Sequence, residues 1–255
     1  MSENIIYFIT GANKGIGHAL TRTLLLRRRS TIIATTRSSS PPLTLTDLPK
    51  HPTSTLITLP LTFTPSSLSA LPALLTQHCV QKIHILILNA GQATSFHSVL
   101  ETSLDEMREH FEVNTLFPLA LWQVLRPFFV VEKGQEGNEG EGEIERKVIY
   151  ISSSLGSIAG MESGVPSLAY GVSKAGGDYF VRKVHFEEEG VVSLALHPGW
   201  VKTDNGQAFA DSVGISEPPM TVEESVNGLL AQIDAATKST TSGSFLSYNG
   251  SVVPW

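Results

Sequence analysis

Seven short apolar runs, rich in β-branched residues, recur along this 255-residue chain and constrain its fold more than any other feature. They are IIYFIT from Ile5, TIIATT from Thr31, TLITL from Thr55, IHILIL from Ile83, KVIYIS from Lys147, VVSLAL from Val191 and SFLSY from Ser244. Longer stretches with helical periodicity separate them, such as Gly15 to Arg28 and Ser103 to Phe128. Strands read as continuous apolar runs when helices cover both faces of a parallel sheet. The alternation predicts an α/β fold: a single doubly wound domain over residues 1–255, with a seven-stranded parallel sheet and helices on both faces. No internal repeat or interdomain linker interrupts it. The segment SSSPPLTLTDLPKHPTS near position 40 reads as a Pro- and Ser-rich surface connection.

Charge narrows the function classes. The net charge of −6 is concentrated in Glu132 to Glu145, EKGQEGNEGEGEIE, where six glutamates oppose one lysine. The remainder is nearly neutral, so no nucleic-acid surface is expected, and the acidic stretch at 132–145 reads as a flexible, solvated loop. No apolar run approaches the roughly 20 residues that span a bilayer, so no membrane partner is expected. Cys79 is the one cysteine. It excludes an internal disulfide and agrees with a reducing compartment. The amino terminus runs into the first strand without a basic leader, which points to a cytoplasmic protein.

A dinucleotide site is suggested immediately after the first strand, where TGANKGIG (Thr10 to Gly17) opens a helix. Gly11, Gly15 and Gly17 permit a tight turn and close approach to a phosphate, and the helix amino terminus offers free N–H groups to it. Asn13, Lys14 and Ile16 complete the loop. A carboxylate at the end of the second strand would bind the ribose hydroxyls of NAD. This chain has Thr35, Thr36 and Arg37 there instead. Arg37 and Lys14 together could pair with a 2′-phosphate, which points to NADPH; the other reading of Arg37 is an ordinary exposed arginine.

The stretch AYGVSKAGG sets Tyr170 four residues ahead of Lys174, on one helical face. A phenol is a poor acid–base group at neutral pH unless a cation stabilises its anion, and the lysine supplies that charge. A second Tyr-x-x-x-Lys pair, Tyr179 and Lys183, follows by nine residues. Nine steps of about 100° turn it to the opposite face, toward a helix or the subunit interface of a homo-oligomer.

Taken with NAG at Asn89 to Gly91, VN at Val113 and Asn114, ISSS at Ile151 to Ser154, and HPGWVKT at His197 to Thr203, these motifs make the chain resemble the short-chain dehydrogenase/reductase family, Rossmann-type proteins, over nearly its whole length. GANKGIG is similar to the NADPH-dependent carbonyl reductases. The ending GSFLSYNGSVVPW resembles the group holding fungal norsolorinic acid ketoreductase and the sniffer-type reductases. The resemblance implies a catalytic set of Asn114, Ser153, Tyr170 and Lys174 and no metal. Tyr170 would donate a proton to a substrate ketone. Lys174 would lower its pKa and bond the nicotinamide ribose, and Asn114 would anchor a relay water. Ser153 would hold the carbonyl, with Ser152 and Ser154 as alternative serines. Asn89, Ala90 and Gly91 would line the adenosine side, while Pro198, Gly199, Val201 and Thr203 would surround the nicotinamide. Where the family has an aspartate near the adenine, this chain is read as having Pro60.

Two loops, about 155–166 and 204–220, are expected to form the substrate wall through Met161, Val165, Trp200, Phe209 and Met220. Apolar lining favours an uncharged, aromatic or secondary-metabolite ketone as the small-molecule substrate. His97 either approaches that substrate or lies on the surface. The competing function is an NADPH-binding scaffold that acts as a non-redox, cyclase-like catalyst or a cofactor-sensing partner. Its mark would be erosion of the catalytic set, and all four residues are present.

Overall fold

The structure, a computed structural model, describes residues 4–38, 43–129 and 144–255. The expected acidic loop lies outside the described residues except for Ile144 and Glu145. Each apolar run forms a strand: β1 (Ile5–Ile9), β2 (Ser30–Thr36), β3 (Thr55–Pro60), β4 (Ile85–Leu88), β5 (Arg146–Ile151), β6 (Val191–His197) and β7 (Ser244–Ser247). They pair in parallel in the order β3-β2-β1-β4-β5-β6-β7. The helices between them are α1 (Gly15–Leu25), the one-turn α2 (Leu43–Thr46), α3 (Pro65–Gln77), α4 (Leu104–Phe111), α5 (Phe117–Leu125), α6 (Leu168–Glu187), α7 (Asp204–Ser212) and α8 (Val222–Ala235).

Two-residue periodicity divides the core. Tyr7 and Ile9 of β1 join Leu20, Leu24, Leu229 and Ile233 on the face covered by α1 and α8. Phe8 points the other way, to Leu71, Leu121 and Val181 under α3, α5 and α6. Both faces are thus apolar, which is why the strands read as unbroken hydrophobic runs. β1 and β4 are neighbours, but the chain leaves β1 toward β2 on one side and β4 toward β5 on the other. That reversal opens a crevice at the carboxyl ends of these two strands.

The stretch Ser103 to Phe128 is not one α-helix. α4 passes through a π turn, Glu112–Leu116, into α5, and a 3-10 turn follows at Arg126–Phe128. Pro118 explains the change: it lacks the N–H that an α-helix would aim at the carbonyl four residues back, and that carbonyl belongs to Asn114. The freed oxygen accepts the Tyr150 hydroxyl at 2.8 Å. Tyr150 reaches it because α6 carries glycines where the sheet and the π turn press on it. A Cβ on Gly177 would lie 2.3 Å from the Tyr150 ring, and one on Gly176 would lie 2.8 Å from Thr115 Oγ1.

Two lysines tie helix ends to the edge opposite the crevice. Lys147 Nζ, buried at the start of β5, donates to the carbonyls of Ile233 (2.7 Å) and Ala236 (2.7 Å) at the end of α8. Lys238 does the same for α6, through His185 and Glu188. Each satisfies carbonyls that a helix terminus leaves open and adds charge of the favourable sign. No helix among the described residues is long and apolar enough to cross a membrane. Lys147→Met keeps the aliphatic stem and strands those carbonyls; it is expected to lower the unfolding free energy in urea by about 2 kcal/mol, with the denaturant slope unchanged.

Candidate active site

The crevice is held open by a knot between the turns after β1 and β4. Thr10 Oγ1 accepts the backbone N–H groups of Asn89 and Ala90, both at 2.9 Å. Asn89 Nδ2 returns bonds to the carbonyls of Thr10 (2.9 Å) and Gly11 (3.2 Å). Around this knot the glycines have distinct tasks. Gly11 and Gly15 adopt φ of +67° and +56°, which favour glycine. Gly17 has ordinary dihedrals, but a Cβ there would lie 2.4 Å from Asn89 Nδ2. α1 begins at Gly15 with no side-chain cap and no acid in its first turn, leaving its N–H groups and dipole available to an anion.

A cleft of about 1240 Å³ extends from this loop across the sheet. Gly11, Asn13, Lys14, Gly15, Ile16, Arg37, Asn89, Ala90, Gly91, Ser153, Tyr170, Lys174, Pro198, Gly199, Val201 and Thr203 all line it. Gly17 and Asn114 stand behind the lining. The volume exceeds the usual single-ligand range and suits a dinucleotide with a second small molecule. Lys14 does not stand free: its ammonium pairs with Asp204 at the start of α7. Arg37 is exposed on the rim. Pro60, which stands where the family has an aspartate, is also exposed and does not line the cleft. Leu61 and Phe63 line that end instead, and Phe63 packs on Phe117 with ring centroids 4.1 Å apart.

At the other end, burial controls the chemistry. Tyr170 is half-buried at the cleft wall, and the loss of water around its hydroxyl pushes the phenol up to about 12, while the neighbouring Ser153 hydroxyl opposes the rise. That contact selects Ser153 over its neighbours. Ser152 faces Asp178, and the N–H of Ser154 is accepted by His197 Nδ1 at 3.0 Å. Burial pulls His197 down to about 4, so it is a neutral acceptor that fixes the chain beside Ser153. Lys174 is pulled down to about 8 by burial, and Asp178 opposes the fall. Its Nζ donates to the Ile151 carbonyl at 2.8 Å and lies 5.8 Å from the Tyr170 ring centroid. Asn114 Nδ2 donates to the Gln92 carbonyl (2.8 Å) and to Ser173 Oγ (2.9 Å), while its Oδ1 accepts Gln92 N–H (2.8 Å). It braces the turn after β4 against α6.

Of the side chains expected to wall a substrate, some line the cleft and some do not. Val165, Trp200 and Phe209 line the cleft, but Met161 is 70% exposed and Met220 packs beneath Gly199, so neither does. Phe96 was not foreseen. Its ring centroid lies 5.6 Å from that of Tyr170 and 5.1 Å from that of Phe209, and Phe209 lies 5.0 Å from Trp200. Buried His110 holds the Phe96 segment: Nδ1 faces the Glu106 carbonyl at 2.8 Å and Nε2 accepts Thr94 N–H at 3.3 Å. Phe96 sits in a coil without periodicity, so only the glycine-ended turn before it hinted at a site. Glu109 and Glu162 give the wall a polar edge. His97 turns away to Glu106 at 2.9 Å, the surface reading. Tyr179 is 72% exposed and Lys183 pairs with Glu187, well apart from the cleft. Among the described residues no cluster of His, Cys, Asp or Glu could hold a metal ion.

Residues 5–213 match the model of the short chain dehydrogenase family. The chain belongs to that family. This short-chain dehydrogenase is 35% identical to the norsolorinic acid ketoreductase of Dothistroma septosporum, across 100% of the chain and 94% of that protein. It is 33% identical to the norsolorinic acid ketoreductase of Aspergillus parasiticus, across 99% and 92%. Its structure resembles the NADPH-bound carbonyl reductase from chicken fatty liver, with a TM-score of 0.81 and 31% identity over all of both chains. The carbonyl reductase Sniffer of D. melanogaster gives a TM-score of 0.81 at 26% identity, again over both whole chains. The dehydrogenase is therefore an oxidoreductase of the carbonyl-reducing kind. Pro118→Ala restores a donor toward the Asn114 carbonyl; kcat is expected to fall about tenfold with circular dichroism unchanged, as the Tyr150 contact and the brace behind Lys174 shift.

Proposed function

We propose that this dehydrogenase uses NADPH to reduce an uncharged aromatic or secondary-metabolite ketone to an alcohol. The observation that carries the reading is the Tyr170 phenol beside the Ser153 hydroxyl, one turn from Lys174, in a cleft shared by the glycine loop and an aromatic wall. The cradle fits a dinucleotide: Gly11, Gly15 and Gly17 leave space that side chains would fill, and the start of α1 offers unpaired N–H groups. When bound, the reduced nicotinamide supplies hydride to the carbonyl carbon.

Ser153 holds the carbonyl oxygen by hydrogen bonding. Tyr170 gives that oxygen a proton as negative charge develops on it, and the Lys174 ammonium stabilises the resulting phenolate. The Asn114 carbonyl keeps a second lone pair beyond its bond to Tyr150, which supports a role in returning the proton from solvent. Lys14 and Arg37 support NADPH over NADH. In this reading the 2′-phosphate takes Lys14 from Asp204. Phe96, Phe209 and Trp200 offer ring faces and edges to a flat substrate. The chicken liver enzyme holds NADPH, and the fungal relatives are named for ketone reduction, both in line with the proposal.

The test follows NADPH absorbance with aromatic ketones, diketones and quinones. Tyr170→Phe is expected to lose about 10³-fold in kcat at retained NADPH affinity. Turnover within tenfold of wild type would sink the role of the phenol, and tight NADPH binding without turnover of any compound would favour the non-redox scaffold. NADPH is expected to bind at least tenfold more tightly than NADH, with Arg37→Ala removing most of the difference by fluorescence titration. Equal affinities in wild type would refute the cofactor assignment.

A further inference from the structure

Asp178 is a buried carboxyl that the reductase chemistry above does not use. It lies on α6 one turn beyond Lys174 and is 3% exposed. Neither carboxyl oxygen has a well-formed hydrogen bond. The Ser152 hydroxyl lies near enough to favour the charge but forms no proper bond with it, and it too is left without a partner. The pocket is tight: a Cβ placed on Gly156 would lie 2.8 Å from Asp178 Oδ2 and 2.9 Å from Lys174 Cβ. A charge so placed cannot be screened by water, and an unpaired buried carboxylate is costly unless a cation compensates it.

We propose that Asp178 is a positioning residue for the Tyr170–Lys174 pair: a buried counter-charge that keeps Lys174 protonated beside the phenol and sets the alkaline limit of the working range. The proposal rests on the reductase reading. Asp178 acts through space, since no direct ion pair joins it to Lys174, whose ammonium bonds the Ile151 carbonyl.

The groups that face it can be enumerated. Lys174 and Tyr170 lie on its own helix, Tyr150 and Ser152 come from β5 and the residue just after it, and the 3-10 turn Ser154–Gly156 approaches through Gly156. The π turn brings neutral Asn114, which bonds Ser173 and Tyr150. Lys174 is therefore the cation that answers Asp178.

The signs follow from these neighbours. Burial pulls Lys174 down to about 8, and the Asp178 charge resists. The same charge adds to the burial that pushes Tyr170 up to about 12, so it keeps the phenol protonated for reduction. Burial pushes Asp178 up to about 7, against Ser152 and Lys174. Carboxyl and ammonium thus titrate close together, and their midpoints belong to the pair. Removing the negative charge lowers both Lys174 and Tyr170.

The experiment measures kcat/KM for ketone reduction against pH in wild type and Asp178→Asn, with Asp178→Ser alongside as a smaller neutral replacement. The alkaline limb is expected to move about one pH unit toward acid in both variants, with activity below the limb preserved within a few-fold. Infrared titration of the cofactor-free wild type supplies a readout independent of turnover and of any variant's folding. Isotope labelling of aspartate should reveal the band of a protonated buried carboxyl that disappears across neutral pH. Turnover with an unmoved limb, or a labelled band that does not titrate in that range, overturns the role of Asp178 alone. Absence of turnover with every ketone overturns the reductase reading and this proposal with it.

Discussion

Everything in the cleft depends on the knot that joins the turns after β1 and β4. A doubly wound sheet must reverse direction somewhere, and at that place two chain segments leave neighbouring strands toward opposite sides. Thr10 closes the gap by accepting two N–H groups, and Asn89 closes it from the other side through two carbonyls. The glycine loop can approach the second turn only because Gly11 and Gly17 carry no side chain there. Cofactor cradle and catalytic end are thereby built on one backbone reference.

Much of this was readable from residue order. The seven apolar runs became the seven strands because burial on both faces leaves a simple mark, and the glycine loop followed the first of them as expected. Sixteen of the eighteen positions expected to bind cofactor or take part in catalysis line the cleft, while Gly17 and Asn114 stand behind it. The misses share a cause. Periodicity reports which face of an element is apolar, not what a coil residue touches, so Phe96 escaped notice and Met161 and Met220 were misplaced. Within Ser103 to Phe128, periodicity does not show that the carbonyl released by Pro118 meets the Tyr150 hydroxyl; only the fold reveals it. Asp178 carries no mark in the sequence, since its burial comes from tertiary packing that helical periodicity does not report.

The catalytic end also shows why a Tyr-Lys spacing is insufficient as a signal. Two such pairs occur in α6, with the same local geometry, and they differ only in surroundings. Lys174 is buried and Tyr170 half-buried, so a neighbouring charge acts on them more strongly than at the surface. Lys183 reaches Glu187 at a solvated surface, where such a pair alters little. Burial turns a common spacing into a chemical device.

The paired glycines of α6 carry one more consequence. They weaken the helix locally, since each glycine costs about 1 kcal/mol relative to alanine, yet they let α6 rest directly on Tyr150 and Thr115. The distance between the catalytic helix and the sheet is therefore set by main chain against ring, with no flexible side chain as a spacer. The aromatic wall of the cleft is assembled elsewhere, from the segment holding Phe96 and the region of Trp200 and Phe209. Mutations in the aromatic wall can thus leave the spacing of α6 from the sheet unchanged, a mechanical separation between that end of the cleft and the frame behind it.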